Sequence, residues 1–198
     1  MSSSPKAAGI KFPASPWQTV GPFFSIGMES RYVTDVAGPN AAGQRVVISG
    51  RAFDGDQAPI SDALLEIWQA DSHGKYAHPE DTQDKPLDSG FLGHGRVPTD
   101  NQGRFEFTTI KPGAVNSPSG DSQAPHLSIS LMMRGLLRRL TTRIYFPDET
   151  LNAGDRVLQL VEPARRKTLI LVPDAHRPGH FLWDIHMQGD AETVFFDF

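Results

Sequence analysis

Cysteine is absent from this 198-residue chain. No disulfide, iron–sulfur cluster or thiolate zinc site can form, so any metal would rest on imidazole, phenolate or carboxylate donors. Tyrosine is nearly as scarce, at three. No charge of one sign dominates: 19 basic and 23 acidic side chains leave a net −4, with no global attraction for a phosphate backbone or anionic lipid. Long apolar runs are missing too. The longest, at 169–172, has four residues where a membrane span needs about 20. The opening MSSSPKAAGI lacks the apolar stretch of a signal peptide and reads as a flexible end. These absences point to a soluble, cytoplasmic protein held together by its own core. At about 150 residues per domain, the length suits one domain with an arm.

The 16 prolines and 18 glycines exceed the average share of about 12%, as a loop-rich all-β chain would. Residues 1–44 read as an N-terminal arm. Pro13, Pro16 and Pro22 disfavour helix there, while Phe12, Trp17, Phe23 and Phe24 need a surface to lie on, either the chain's own core or a partner. From residue 45 strand signals recur between turn signals: RVVISGRAF (45–53), ALLEIWQA (63–70), RFEFTTI (104–110), HLSISLMM (126–133), TTRIYF (141–146), TLILV (168–172), FLWDIHMQ (181–188) and ETVFFDF (192–198). In 126–133, Leu127, Ile129 and Leu131 face one way, His126, Ser128 and Ser130 the other. Only 155–167 has helical character, and Pro163 interrupts it. About eight short strands predict an all-β fold, a β-sandwich over 45–198.

Few residues stand out for chemistry. HGKYAH (73–78) gathers His73, Tyr76 and His78 after a turn, a setting in which loops often carry such residues without a metal. His126 lies on the polar face of its strand, where a hydrogen-bonded structural role is the default. His176 and His180 flank a Pro-Gly turn, and His186 has no ligand-like neighbour in sequence. Arg134, Arg138, Arg139 and Arg143 fall within ten residues. A solvated face is the plain reading; one arginine beside a pocket could instead grip a carboxylate through its planar fork. Composition cannot choose among the four.

Taken together, QTVGPFF (18–24), LEIWQADSHGKY (65–76), GRVPTDNQGRFEFTTIKPG (95–113), APHLSISLMMRGLL (124–137), TRIYF (142–146) and the terminal GDAETVFFDF resemble the intradiol ring-cleaving dioxygenases. The similarity is greatest to members that cleave protocatechuate, which pair an α chain with a homologous iron-bearing β chain. The resemblance implies a β-sandwich and a ferric ion held by two Tyr and two His, since a hard cation favours phenolate oxygen. Tyr76 matches the first Tyr position and His126 the first His, but Val115 stands at the second Tyr position and Ser128 at the second His. The resemblance therefore implies an iron-free subunit with a vestigial site, its Fe(III) expected on the partner beta chain. It further implies that Thr19, Gly21 and Arg134 line the partner's pocket, where O2 is inserted into the aromatic ring to give 3-carboxy-cis,cis-muconate. Phe23 stands where related α chains can carry Tyr. Two other readings are open: a self-sufficient enzyme for another catechol with Tyr145 as replacement ligand, and a non-enzymatic β-sandwich binding module.

Overall fold

Alternating apolar and polar side chains leave one face of a strand apolar, and such a face is stable only against a second layer. The computed structural model, which describes residues 14–21, 23–116 and 120–197, contains that second layer. A short helix α1 (Phe23–Met28) precedes the strands β1 (Arg45–Phe53), β2 (Leu64–Gln69), β3 (His94–Pro98) and β4 (Arg104–Ile110). The short β5 (Val115–Asn116) and β6 (Ser122–Gln123) lead into β7 (His126–Met132) and β8 (Leu140–Tyr145). Helix α2 (Arg156–Gln159), β9 (Val172–Pro173), β10 (His180–Leu182) and β11 (Ile185–His186) complete the set.

One sheet runs β3-β2-β7-β8, all antiparallel. The other centres on β1, with β4 antiparallel on one edge, β10 and β11 parallel on the other, and β9 outside β10. Between them lies the core. Ile48 of β1 and Phe107 of β4 meet Leu65 and Ile67 of β2, Leu127, Ile129 and Leu131 of β7, and Ile144 of β8. Each such side chain removed from water contributes about 1.5–3 kcal/mol. The β-sandwich expected from the strand spacing is the fold.

Strands β1 and β4 coincide with the segments read from sequence, and β7 ends one residue early. The C-terminal strands are shorter than expected, and 192–197 forms no strand, only an isolated bridge from Phe196 to Thr141. The run 181–188 breaks where the Asp184 carboxylate, and not a ladder carbonyl, accepts the Arg51 N–H at 2.8 Å. The run 168–172 begins instead in a 3₁₀ turn, Arg166–Leu169. Strand β3 gave no sequence signal, because glycine is needed inside it: a Cβ on Gly95 would lie 2.7 Å from the Val33 carbonyl oxygen and 2.6 Å from the Val36 side chain.

Part of the segment read as an arm is built into the sandwich. Val33 bridges Arg96 of β3, and Asp35 bridges Thr108 of β4, so this stretch laces the two sheets together at one side. Val36 and Ala37 are fully buried. Further out, Trp17 and Phe23 are 69% and 80% exposed. Phe12, Pro13 and Pro22 lie outside the described residues. A second, smaller apolar cluster packs on the outer side of β8, where Leu158 of α2, Val161 and Leu169 cover Tyr145. That cover buries a patch of sheet that would otherwise face water.

Candidate functional site

On this outer face the register places Trp68, Ser128 and Arg143 in one row across β2, β7 and β8. His126 and Tyr145 form the next row, their rings 5.8 Å apart. The loop after β2 brings Tyr76 over this surface. Its shape is set by the buried Asp71 carboxylate, which accepts the N–H of His73 and Lys75 at 2.9 Å and of Asp88 at 3.0 Å. Asp81 accepts the Tyr76 N–H at 2.7 Å, and Lys85 Nζ donates to the Ala114 carbonyl at 2.8 Å, tying the loop to β5. The Tyr76 ring stacks on Trp68 at 5.8 Å, with His78 edge-on to the same indole. A cleft of about 460 Å³ results, lined by Trp68, Tyr76, His78, Val115 and Gln123 among others.

The electrostatics centre on Arg143. Its guanidinium donates to Gln123 Oε1 at 2.8 Å, and its charge acts on Tyr145, Tyr76 and His126. Tyr145 in turn donates to Asp155 Oδ1 at 3.1 Å. Asp155, fully buried, also caps α2 by accepting the Leu158 N–H at 2.9 Å and accepts the Ala124 N–H at 2.9 Å. Burial, joined by the nearby Asp155 charge, pushes the Tyr145 phenol far above its ordinary range. Burial also raises Tyr76 and, with Arg143, drives His126 down to about 4, so the imidazole is neutral at pH 7. Its Nδ1–H is committed to the Ala124 carbonyl at 2.7 Å.

A ferric ion needs several anionic or imidazole donors converging on one point. Of the four positions implied by the resemblance, Val115 offers only carbon and Ser128 a neutral hydroxyl. Tyr76 is held as a phenol, and a guanidinium already lies within range of both remaining donors. Tyr145 offers no replacement, since its hydroxyl donates to Asp155 and burial holds the phenol protonated. Among the described residues no group of three or more His, Asp or Glu side chains gathers for a metal. These residues do not fit ferric iron. His73 and His176 are exposed, His180 is half-buried, and His186 stacks on Phe53.

Thr19 and Arg134 lie elsewhere. The Gly135 N–H donates to Thr19 Oγ1 at 2.8 Å, joining the N-terminal segment to the turn after β7, and Arg134 pairs with Asp62 beside it. Gly21 is exposed two residues on from Thr19, with no other side chain or backbone within 4 Å of its Cβ position. Arg138 stacks over Trp17 at 5.2 Å and pairs with Asp197. Arg134 follows the end of β7 that His126 begins, and the six steps of that strand span about 20 Å. Thus the four arginines divide: Arg143 serves the buried patch, Arg134 and Arg138 the N-terminal segment, and Arg139 is exposed. Sequence reasoning missed Asp155 and the weight of Arg143; the alternation of Arg143 with the buried Ile144 was the available signal.

The model of a family described as dioxygenase matches residues 20–189. The protocatechuate 3,4-dioxygenase alpha chain of Burkholderia cepacia is 42% identical over 197 residues, covering 92% of this chain and 96% of that one. The beta chain from the same organism is 40% identical over 159 residues, covering 76% of this chain and 67% of its own length. In fold, the chain is similar to 3-chlorocatechol 1,2-dioxygenase from Rhodococcus opacus 1CP, with a TM-score of 0.61 at 24% identity over 90% of this chain and 69% of that structure. A sandwich of this topology and sequence matched over most of its length place the chain plainly: it belongs to the intradiol ring-cleaving dioxygenase family, beside the alpha and beta chains of protocatechuate 3,4-dioxygenase.

Proposed function

We propose that this chain is the alpha subunit of a protocatechuate 3,4-dioxygenase, a cytoplasmic assembly of the β-ketoadipate route of aromatic catabolism. In this reading it completes the pocket of a homologous beta chain that carries the ferric ion, which supplies the O2 chemistry on that chain. The observation that carries the reading is the division of labour along β7. At one end lies a centre unfit for iron; at the other, about 20 Å away, Thr19, Gly21 and Arg134 stand exposed. Arg134 cannot serve its own chain's centre over that distance, so its substrate contact requires a second chain.

The roles of the residues follow from their chemistry. Asp62 holds the Arg134 guanidinium in orientation while leaving N–H groups free for a second carboxylate. Protocatechuate has such a carboxylate and catechol does not. Gly21, lacking a Cβ, allows close backbone approach, and the Thr19–Gly135 bond locks its segment in place. Trp17, Phe23 and Ile26 lie exposed next to these residues and supply apolar surface for the partner. The contribution is orientation and electrostatics, not redox chemistry.

The test is Arg134→Ala in the complex with the beta chain. A charge-assisted contact of about 1.5–3 kcal/mol corresponds to a rise in KM for protocatechuate of about tenfold or more. Iron content should be unchanged. An unchanged KM would show that Arg134 does not touch substrate.

A further inference from the structure

The buried patch of β7 and β8 does more than lack ligands. Loss of two donors leaves Tyr76 and His126 in place, and two loop or strand residues are easily regained. The row that carries Ser128 also carries Arg143, directly opposite it in the β7–β8 register. Val115, at the other missing position, is opposite Gln123 in the β5–β6 register, and Gln123 Oε1 is the acceptor that fixes the guanidinium at 2.8 Å. One vacated ligand position thus faces Arg143 directly, and the other faces the residue that fixes its guanidinium.

We propose that Arg143 bars iron from this chain, its guanidinium being the resident cation among Tyr76, Val115, His126, Ser128 and Tyr145. The charge is already balanced. Arg143 donates to Gln123 at 2.8 Å, and two residues on, Tyr145 donates to the buried Asp155 carboxylate at 3.1 Å, so a carboxylate already lies beside the guanidinium. A ferric ion placed here would meet a fixed positive charge that cannot be neutralised, because arginine does not lose its proton in proteins. It would also have to share a partly buried site with that charge, where like charges repel more than in open water. Restoring donors alone is then insufficient.

The inference rests on the reading that the working metal belongs to the partner chain, yet it is tested on this chain alone, so failure of the Arg134 experiment leaves it standing. The full-length chain is made as the double variant Val115→Tyr/Ser128→His and as triple variants adding Arg143→Leu or Arg143→Gln. Each is checked for folding by circular dichroism, then given ferric iron and read by metal analysis and by the visible phenolate-to-iron absorption. The double variant is expected to bind less than about a tenth of the iron taken by a folded triple variant, which develops the absorption band. Two results overturn the proposal: stoichiometric iron in the double variant, or a folded triple variant that takes none. Where neither triple variant folds, the double variant decides alone, iron bound contradicting the proposal and iron refused supporting it.

Discussion

Asp155 makes three hydrogen bonds from a fully buried position, to the Ala124 and Leu158 N–H groups and to the Tyr145 hydroxyl. Removing a buried acceptor strands its donors away from water, which costs more than the bonds themselves contribute. Asp155→Ala should lower unfolding stability by about 3 kcal/mol in urea titration; a loss within experimental error would show that the patch reorganises freely. His126 makes a pH prediction. Its pKa falls from 6.5 unfolded to about 4 folded, so the unfolded chain takes up the proton first as pH drops. The associated stability is full above pH 6.5 and is lost as pH falls toward 4, about 3 kcal/mol in all. The depressed carboxylates, Asp81 and Asp148 among them, act below their usual 3.8 and leave that window to the histidine. Melting temperature followed across pH 4–7 should slope in the native chain and flatten in His126→Phe.

Strands carried most of what could be read in advance. β1 and β4 were legible to the residue because β-branched and aromatic side chains alternate between clear turns. β3 was not, because two glycines and a proline surround its one buried apolar side chain, Val97, and its Gly95 answers to a close approach that only the folded chain makes. Arg143 was visible as a charge but not as a centre, since its neighbours Tyr76, Gln123 and His126 come from three other elements. Val115 and Ser128, by contrast, can be read from the sequence as side chains that offer a metal only carbon and a neutral hydroxyl. Gly50 gives a prediction at this scale. It sits inside β1 with the Trp183 carbonyl oxygen 1.8 Å from where a Cβ would be. Backbone cannot yield there, so Gly50→Ala should destabilise by about 3 kcal/mol or more and shift the thermal midpoint accordingly. Wild-type stability in that variant would mean β1 and β10–β11 are packed less closely than described.

For the whole molecule, two ends of one sandwich have been put to different uses. The core and the lacing residues 33–37 hold the sheets together, and the patch at the start of β7 is covered by Leu158, Val161 and Leu169. The far end presents Thr19, Gly21 and Arg134 beside exposed Trp17, Phe23 and Ile26. No helix among the described residues is long and apolar enough to cross a membrane. The central claim is that the chain shapes a metal site it does not hold. Iron content and protocatechuate cleavage, measured for the chain purified alone and for its complex with a homologous beta chain, test that claim most directly. The chain alone should carry no ferric iron and show no turnover, while the complex is coloured, iron-bearing and active. A lone chain that purified with stoichiometric ferric iron and cleaved protocatechuate would contradict the account.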